Sequence, residues 1–122
     1  MRSPWIKTAV SAISNKKGHD TVLIDVGEIL GISDHFVITS GNNVRQVRAL
    51  AEEVEAQITQ ESGPKPVRVE GNKDYKWVLM DYGAFVVHVF HQEQRDFYQL
   101  ERLWSDRPRI EWEPLTPRPE SV

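Results

Sequence analysis

The sequence predicts one α/β domain of the α+β kind, in which helices pack on a mixed five-stranded sheet. Three observations indicate this fold. Apolar residues recur at helical spacing in three separate segments, and short β-branched runs fill the stretches between them. A chain of 122 residues is also long enough to bury one hydrophobic core. The predicted order of elements is αββαβββα, and no internal repeat is present.

The first predicted helix covers residues 4–17 and is bounded by ordinary start and stop signals. Ser3 is followed by a proline, a combination typical of a helix N-terminus, and Gly18 can end the helix. Two strands are predicted next, over residues 21–26 and 35–39, because both runs are apolar and partly β-branched.

The second predicted helix, over residues 44–61, has the most regular apolar pattern in the chain. Its apolar residues, at intervals of three and four, are Val44, Val47, Ala51, Val54 and Ile58. Asn43 and Gln46 resemble a capping box with asparagine in place of serine. A crossover through this helix predicts that the strand near residue 37 pairs in parallel with the strand near residue 68.

The rest of the chain predicts a short strand, a hairpin, a third helix and a tail. The strand covers 67–70, the hairpin covers 76–90 with its turn at Tyr82 and Gly83, and the helix begins at Gln92 and ends before Pro108. Residues 1–112 are expected to form the domain. Residues 113–122 contain three prolines and little apolar material, so a flexible C-terminal tail is expected there.

Composition argues against several classes of function. The chain has no cysteine, which excludes disulfides, thiol catalysis and thiolate zinc sites. It contains no apolar run of about 18 residues and no secretory signal pattern, so a cytoplasmic protein without a membrane partner is expected. A formal charge of -3 argues against a domain that holds nucleic acid chiefly by neutralising phosphates.

The predicted hairpin is the most informative element, because alternation divides its side chains into two sets. The purely apolar set, expected to pack against the helices, is Val78, Met80, Phe85, Val87 and Val89. The other set mixes large apolar groups with a carboxylate and an imidazole: Trp77, Leu79, Asp81, Val86, His88 and Phe90. Such a mixture is typical of a contact surface. The alternative is that the third or the N-terminal helix covers this face.

No catalytic residue, metal site or cofactor is predicted. A metal would need about three convergent ligands, and His88 and His91 point to opposite faces if the strand continues. There is no Asp-x-Asp for magnesium, and Gly-x-Ser-x-Gly, Walker and Gly-x-Gly-x-x-Gly motifs are missing. The sequence therefore contains no motif that indicates a catalytic or cofactor-binding pocket.

Several separated blocks are similar to the Iojap, or ribosomal silencing factor, family. The blocks are residues 34–41 (DHFVITSG), 45–47 (RQV), 70–71 (EG), 77–83 (WVLMDYG), 88–90 (HVF), Arg95 and 98–104 (YQLERLW). They occur in the family's order and span about residues 20–105. The resemblance implies a fold akin to nucleotidyltransferases without their catalytic carboxylates, and hence a non-enzymatic protein.

The resemblance also implies a partner and a contact site. Family members bind the large-subunit ribosomal protein numbered fourteen, and so prevent joining of the small subunit and repress translation when nutrients are short. Carried over to this chain, the contact residues are Trp77, Leu79, Asp81, Tyr82, His88 and Phe90, flanked by Glu70, Arg95 and Tyr98. Arg95 has an alternative role in an ion pair with Glu101. A nucleotide-transferring enzyme and a homodimeric interaction module remain the rival functions.

Overall fold

The computed structural model describes residues 3–27, 35–100 and 102. The elements are α1 (Trp5–Asn15), β1 (His19–Asp25), β2 (His35–Gly41), α2 (Val44–Gln60), β3 (Arg68–Glu70), β4 (Trp77–Asp81), β5 (Phe85–His91) and α3 (Gln92–Tyr98). The predicted order and the mixed five-stranded sheet with packed helices are confirmed. The predicted tail and most of the chain after Leu100 lie outside the described residues.

The strands are arranged in the order β1-β2-β5-β4-β3, and β2 pairs with β5 in parallel while all other pairs are antiparallel. The predicted parallel pairing of β2 with β3 is therefore wrong, because β5 and β4 separate them. A physical reason lies in their lengths and apolar content. The seven-residue β5 is buried on both faces and suits the centre, whereas β3 has three residues with exposed ends and suits an edge.

Helices α1 and α2 lie together on one face of the sheet, called here the inner face. They run antiparallel, since Thr8 Oγ1 donates to Glu61 at 3.0 Å while Gln46 Nε2 donates to the carbonyls of Lys16 and Lys17. The apolar side chains between helices and sheet form the main core, which contains Ile13, Leu23, Val37, Leu50, Ile58, Val78, Met80, Phe85, Val87 and Val89 among others.

The start of α2 confirms the predicted capping residue. Asn43 Oδ1 accepts the amide hydrogen of Gln46 at 2.9 Å. The return bond differs from a standard capping box, because Gln46 Oε1 accepts from the amide of Asn42, at 2.8 Å, rather than from that of Asn43. The first bond satisfies one of the amides that the helix leaves free, and the second satisfies the amide of the residue before the cap.

The β4–β5 hairpin is shifted by two residues from the predicted register. Trp77 pairs with Phe90 and Asp81 with Val86, so the two loop residues are Gly83 and Ala84. Gly83 adopts a positive φ of 87°, which suits glycine at the first position of a type II′ turn. A shift of two residues preserves strand alternation, so the predicted division into two faces is unchanged.

Candidate functional site

The outer face of the sheet, opposite α1 and α2, carries most of the predicted contact residues. Cross-strand pairing arranges its side chains in three rows. The rows are Ile24, Phe36, Val86, Asp81 and Arg68; Val22, Ile38, His88, Leu79 and Glu70; and Ser40, Phe90 and Trp77. The sheet therefore brings six of the predicted contact residues onto one face: Trp77, Leu79, Asp81, His88, Phe90 and Glu70.

Burial divides this face between the centre of the sheet and its β4–β3 edge. His88 is 4% exposed and Phe90 is 0% exposed, whereas Trp77, Leu79 and Asp81 are half-buried. The central side chains form a second apolar cluster, against which Leu100 packs. The expectation that His88 and Phe90 are surface contacts is corrected by this burial, since β5 lies between β2 and β4 and α3 packs on it. The alternative of a covering helix is realised in part.

Trp77 is held by two aromatic neighbours. Its ring stacks on Phe90 with centroids 4.6 Å apart, and Tyr98 of α3 lies 5.2 Å away at a tilt. The indole Nε1 donates to His88 Nδ1 at 3.2 Å. Trp77 therefore has a fixed orientation with part of its surface open, which is the condition for a preorganised binding anchor.

The buried His88 side chain holds Trp77 in position through the hydrogen bond to its indole. Burial lowers the pKa of the His88 imidazole to about 4, so the ring is neutral near pH 7. Because Nδ1 accepts from Trp77, the proton of the neutral ring resides on Nε2. The Phe36 ring meets the imidazole edge-on at 4.6 Å. His88 thus positions the indole instead of presenting its own surface.

Acidic groups lie at the edge of the outer face. Asp81 Oδ1 accepts the Gly83 amide hydrogen at 2.8 Å, which fixes the carboxylate beside the turn. Glu70 is exposed and forms an ion pair with Arg68 at 3.3 Å. Both side chains are well solvated, so this ion pair contributes little to stability. Either side chain can therefore leave it to pair with a charge on a binding partner. Arg68, which the sequence patterns did not single out, reduces the local negative charge.

Two aromatic side chains of α3 extend the open surface beside Trp77. Phe97 is 77% exposed and Tyr98 is 52% exposed, and their rings meet edge-on at 4.9 Å. Phe97 was not predicted as a contact.

Two of the predicted contact residues have internal roles instead. Arg95 is buried and donates to the carbonyls of His19 and Asp20, at 3.0 and 2.6 Å, and to Ser40 Oγ at 3.2 Å. It joins α3 to the start of β1. Glu101, the alternative ion partner, lies outside the described residues.

Tyr82 lies on the inner face and is 8% exposed. Its ring stacks on Phe85 at 5.0 Å, and its buried hydroxyl has no hydrogen-bond partner in the parts of the chain described above. Burial, together with the charge of Glu55, raises the pKa of this hydroxyl. A partner seated on the outer face would not reach Tyr82.

Within 3–27, 35–100 and 102, no group of three or more histidine or acidic side chains is placed to hold a metal ion. None of the described helices has the length and apolar character needed to cross a membrane.

Fold and surface together define a small α+β domain with a rigid, partly open aromatic surface edged by carboxylates. A family model described as "Ribosomal silencing factor during starvation" matches residues 2–121. The chain belongs to the ribosomal silencing factor family.

Curated relatives and solved structures agree with this assignment. Ribosomal silencing factor RsfS of Halalkalibacterium halodurans is 42% identical over 88% of this chain and 92% of its own length. RsfS of Bacillus subtilis is 40% identical over 84% and 86%, respectively. The mouse protein "Mitochondrial assembly of ribosomal large subunit protein 1" is 30% identical over 84% of this chain and 46% of its own length.

Among solved structures, a Chromobacterium violaceum protein superposes with a TM-score of 0.78 at 31% identity, covering 93% of this chain and 91% of its own. A Bacillus halodurans protein superposes with a TM-score of 0.75 at 39% identity, covering 88% and 96%. The fold is thus shared along nearly the whole chain.

Proposed function

We propose that this protein docks on the large ribosomal subunit through the ribosomal protein numbered fourteen and prevents the small subunit from joining, which represses translation under nutrient limitation. The observation that carries the proposal is the surface formed by Trp77, Leu79, Asp81, Phe97 and Tyr98 on a chain of the silencing factor family, called here the docking strip.

The docking strip has the physical properties of an interface centre. Aromatic side chains dominate binding energies when a partner desolvates them, and complete burial of one such side chain contributes about 1.5–3 kcal/mol. Stacking on Phe90 and the hydrogen bond to His88 fix Trp77 before binding, so little side-chain entropy remains to be lost.

The carboxylates at the edge of the strip favour a basic partner. Asp81 is fixed by its bond to the Gly83 amide, and Glu70 of β3 pairs with Leu79 of β4. Complementary charges at an interface raise association rates and fix the register more than they raise affinity. Glu70 and Asp81 would therefore orient the docking, while the aromatic side chains hold the complex together.

Silencing by this route is occlusion and needs no turnover. A 14.1 kDa protein bound on the inter-subunit face of the large subunit occupies space that the small subunit needs, so the two cannot bind at the same time. The effect then depends on occupancy, which affinity and concentration determine. A stoichiometric binder of this kind requires neither a metal nor a cofactor.

Co-sedimentation with purified large subunits tests the proposal. Phe97→Ala removes an exposed ring without disturbing the core, so we expect an affinity at least about tenfold weaker, corresponding to about 1.4 kcal/mol. Thr59→Ala, a truncation at an exposed position near the end of α2, serves as the control and should leave the affinity unchanged. Equal retention of both variants would reject the strip as the docking site.

A second readout separates binding from silencing. In a subunit-joining assay followed by light scattering, the wild-type chain should suppress joining in proportion to the large subunits occupied, and Phe97→Ala should suppress it only at higher concentration. Binding without suppression would contradict occlusion. The rival enzyme is tested by calorimetric titration with magnesium and nucleoside triphosphates, in which saturable heat would favour nucleotide chemistry over the proposal.

Homodimerisation is the rival explanation for the exposed aromatic side chains, because a second copy of the chain could cover Phe97 and Tyr98. Sedimentation velocity over a range of concentrations would detect it. If a dimer used the docking strip, dilution should favour binding to the large subunit, and Phe97→Ala should weaken both associations together.

A further inference from the structure

Exposed cations are concentrated at one end of the described structure, although the whole chain has a formal charge of -3. This basic end consists of Lys16, Lys17, Arg45, Arg48, Lys73 and Lys76, all exposed. They come from three separate segments: the end of α1, the first turns of α2 and the β3–β4 loop.

Specific contacts bring the three segments together. Gln46 of α2 donates to the carbonyls of Lys16 and Lys17, at 3.3 and 3.0 Å. The guanidinium of Arg48 lies 5.7 Å from the centroid of the Tyr75 ring in the β3–β4 loop. The carbonyl of Lys76 accepts the His91 amide hydrogen at 2.8 Å. The cations are therefore neighbours in the folded chain and not merely in sequence.

Few carboxylates neutralise the basic end. Glu52 pairs with Arg48 at 2.9 Å, Asp74 accepts the Lys76 amide hydrogen through its side chain, and Glu93 of α3 lies nearby in the chain after His91. Within the described ranges, the side chains of the other cations form no ion pair: Lys16, Lys17, Arg45, Lys73 and Lys76. Their charge is thus available to a ligand.

The charges of α2 run against the preference of the helix itself. Its first turn contains no acidic residue and carries Arg45, with Arg48 following, at the positive end of the helix dipole. Its last turn contains no basic residue and is followed by Glu61. Both ends lower helix stability slightly, so the stability of α2 does not explain why the cations are gathered here.

The basic end adjoins the docking strip. Lys76 directly precedes Trp77, and Trp77 lies at the end of β4 nearest the β3–β4 loop. A large partner surface that covers Trp77 would therefore also approach Lys76 and its neighbours. This continuity favours, as the partner of the basic end, another part of the body that the docking strip contacts.

We propose that the basic end contacts the phosphate backbone of large-subunit ribosomal RNA, without base specificity, while the docking strip contacts protein. The inference rests on the proposed function. Ribosomal proteins are generally basic and would repel these cations, whereas RNA phosphates attract them. Because the chain as a whole carries a negative charge, RNA attracts the basic end and not the rest of the surface. The RNA contact therefore depends on the docking strip to hold the protein on the subunit.

The salt dependence of binding to purified large subunits tests this assignment. Arg45→Gln with Lys76→Gln removes two exposed cations of the basic end. Lys7→Gln with Lys65→Gln removes the same charge at the opposite end, where α1 begins and α2 has ended. If two phosphate contacts are lost, the slope of log affinity against log salt should become shallower by about 1.4–1.8 in the first variant only.

The outcomes separate the two proposals. Equal slopes for both variants, with the wild-type chain still retained on large subunits, would overturn the RNA contact and leave the proposed function standing. Failure of the wild-type chain to be retained at all would overturn both. Unchanged urea midpoints in both variants would confirm that folding is not the cause of any difference.

A photo-crosslink distinguishes RNA from protein at the basic end. With p-benzoylphenylalanine in place of Lys73, which is exposed, irradiation of the complex with large subunits should yield adducts to ribosomal RNA. The same group in place of Lys65 should not. Adducts at position 73 to ribosomal protein alone would contradict the assignment to phosphate.

Discussion

The two faces of the sheet differ in how completely helices cover them. On the inner face, α1 and α2 bury Val78, Met80, Val87 and Val89 almost completely. On the outer face, α3 has seven residues, and Trp77 and other outer side chains of β4 are left half-buried. Exposure of an apolar side chain is therefore decided by the length of the covering helix and by the strand's position, more than by residue type.

This difference assigns separate roles to the two faces. The inner face supplies folding energy, since it is dry and densely packed. The outer face supplies folding energy only at its centre, where His88 and Phe90 are buried, and offers surface at its edge. The predicted effects of substitutions follow from this division of roles.

The largest effect is expected from truncating a phenylalanine of the inner face. Phe85→Ala should lower the free energy of unfolding by about 3–5 kcal/mol, because its ring is 1% exposed and a cavity would remain. Phe97→Ala, at the outer edge, should change it by less than about 0.5 kcal/mol. Urea denaturation measures both free energies, and similar losses in the two variants would contradict the different roles assigned to the two faces.

The centre of the outer face should make stability depend on pH through His88. The folded pKa, about 4, is below the ordinary value of 6.5, so the unfolded chain takes up the proton first. Stability from this group is fully present above about pH 6.5 and is lost as the pH falls towards 4. By linkage, the loss is of the order of 3 kcal/mol.

Chemical denaturation between about pH 7 and pH 4 checks this dependence. His88→Leu should remove the corresponding part of the pH slope, even though it leaves the Trp77 indole without its acceptor and lowers stability at every pH. Asn43→Ala, which lowers stability without removing a titratable group, should preserve the slope. An unchanged slope in His88→Leu would show that the imidazole titrates normally.

A smaller effect is expected at the start of α2, the longer of the inner-face helices. Asn43→Ala should lower the free energy of unfolding by about 1 kcal/mol, because the Gln46 amide loses its acceptor. Asn42→Ala is the matched control, since Asn42 contributes its backbone amide and not its side chain. Thermal unfolding of both variants would resolve the difference.

The smallest effect concerns the buried hydroxyl of the inner face. Tyr82→Phe should leave stability unchanged or raise it by up to about 1 kcal/mol, because a buried polar group without a partner is removed while the stacking on Phe85 is retained. Tyr98→Phe, at an exposed position, should be neutral. A clear loss in Tyr82→Phe would reveal a hydrogen bond at that hydroxyl.

Local patterns predicted the elements well. The observed limits of α1, α2 and the strands differ from the predicted ones by about two residues at most, since periodicity and capping residues act over a few neighbours. The two hairpin faces were also predicted correctly despite the wrong turn, because a register shift of two residues preserves alternation.

Properties that depend on distant segments were predicted poorly. The parallel partner of β2 proved to be β5, because strand order in a sheet depends on competition among all strands. The burial of His88 and Phe90 depends on where α3 packs, which periodicity does not report. Arg95 was expected on the surface for the same reason, since its acceptors, His19, Asp20 and Ser40, are distant in sequence.

The affinity of the double variant Phe97→Ala with Asp81→Asn for purified large subunits tests the docking strip most directly. Asparagine keeps an acceptor for the Gly83 amide, so the hairpin should remain intact while the charge is lost. We predict at least about thirtyfold weaker binding, or about 2 kcal/mol, with an unchanged urea midpoint. If the urea midpoint is unchanged and the affinity stays within about twofold of wild type, docking through this strip would be contradicted.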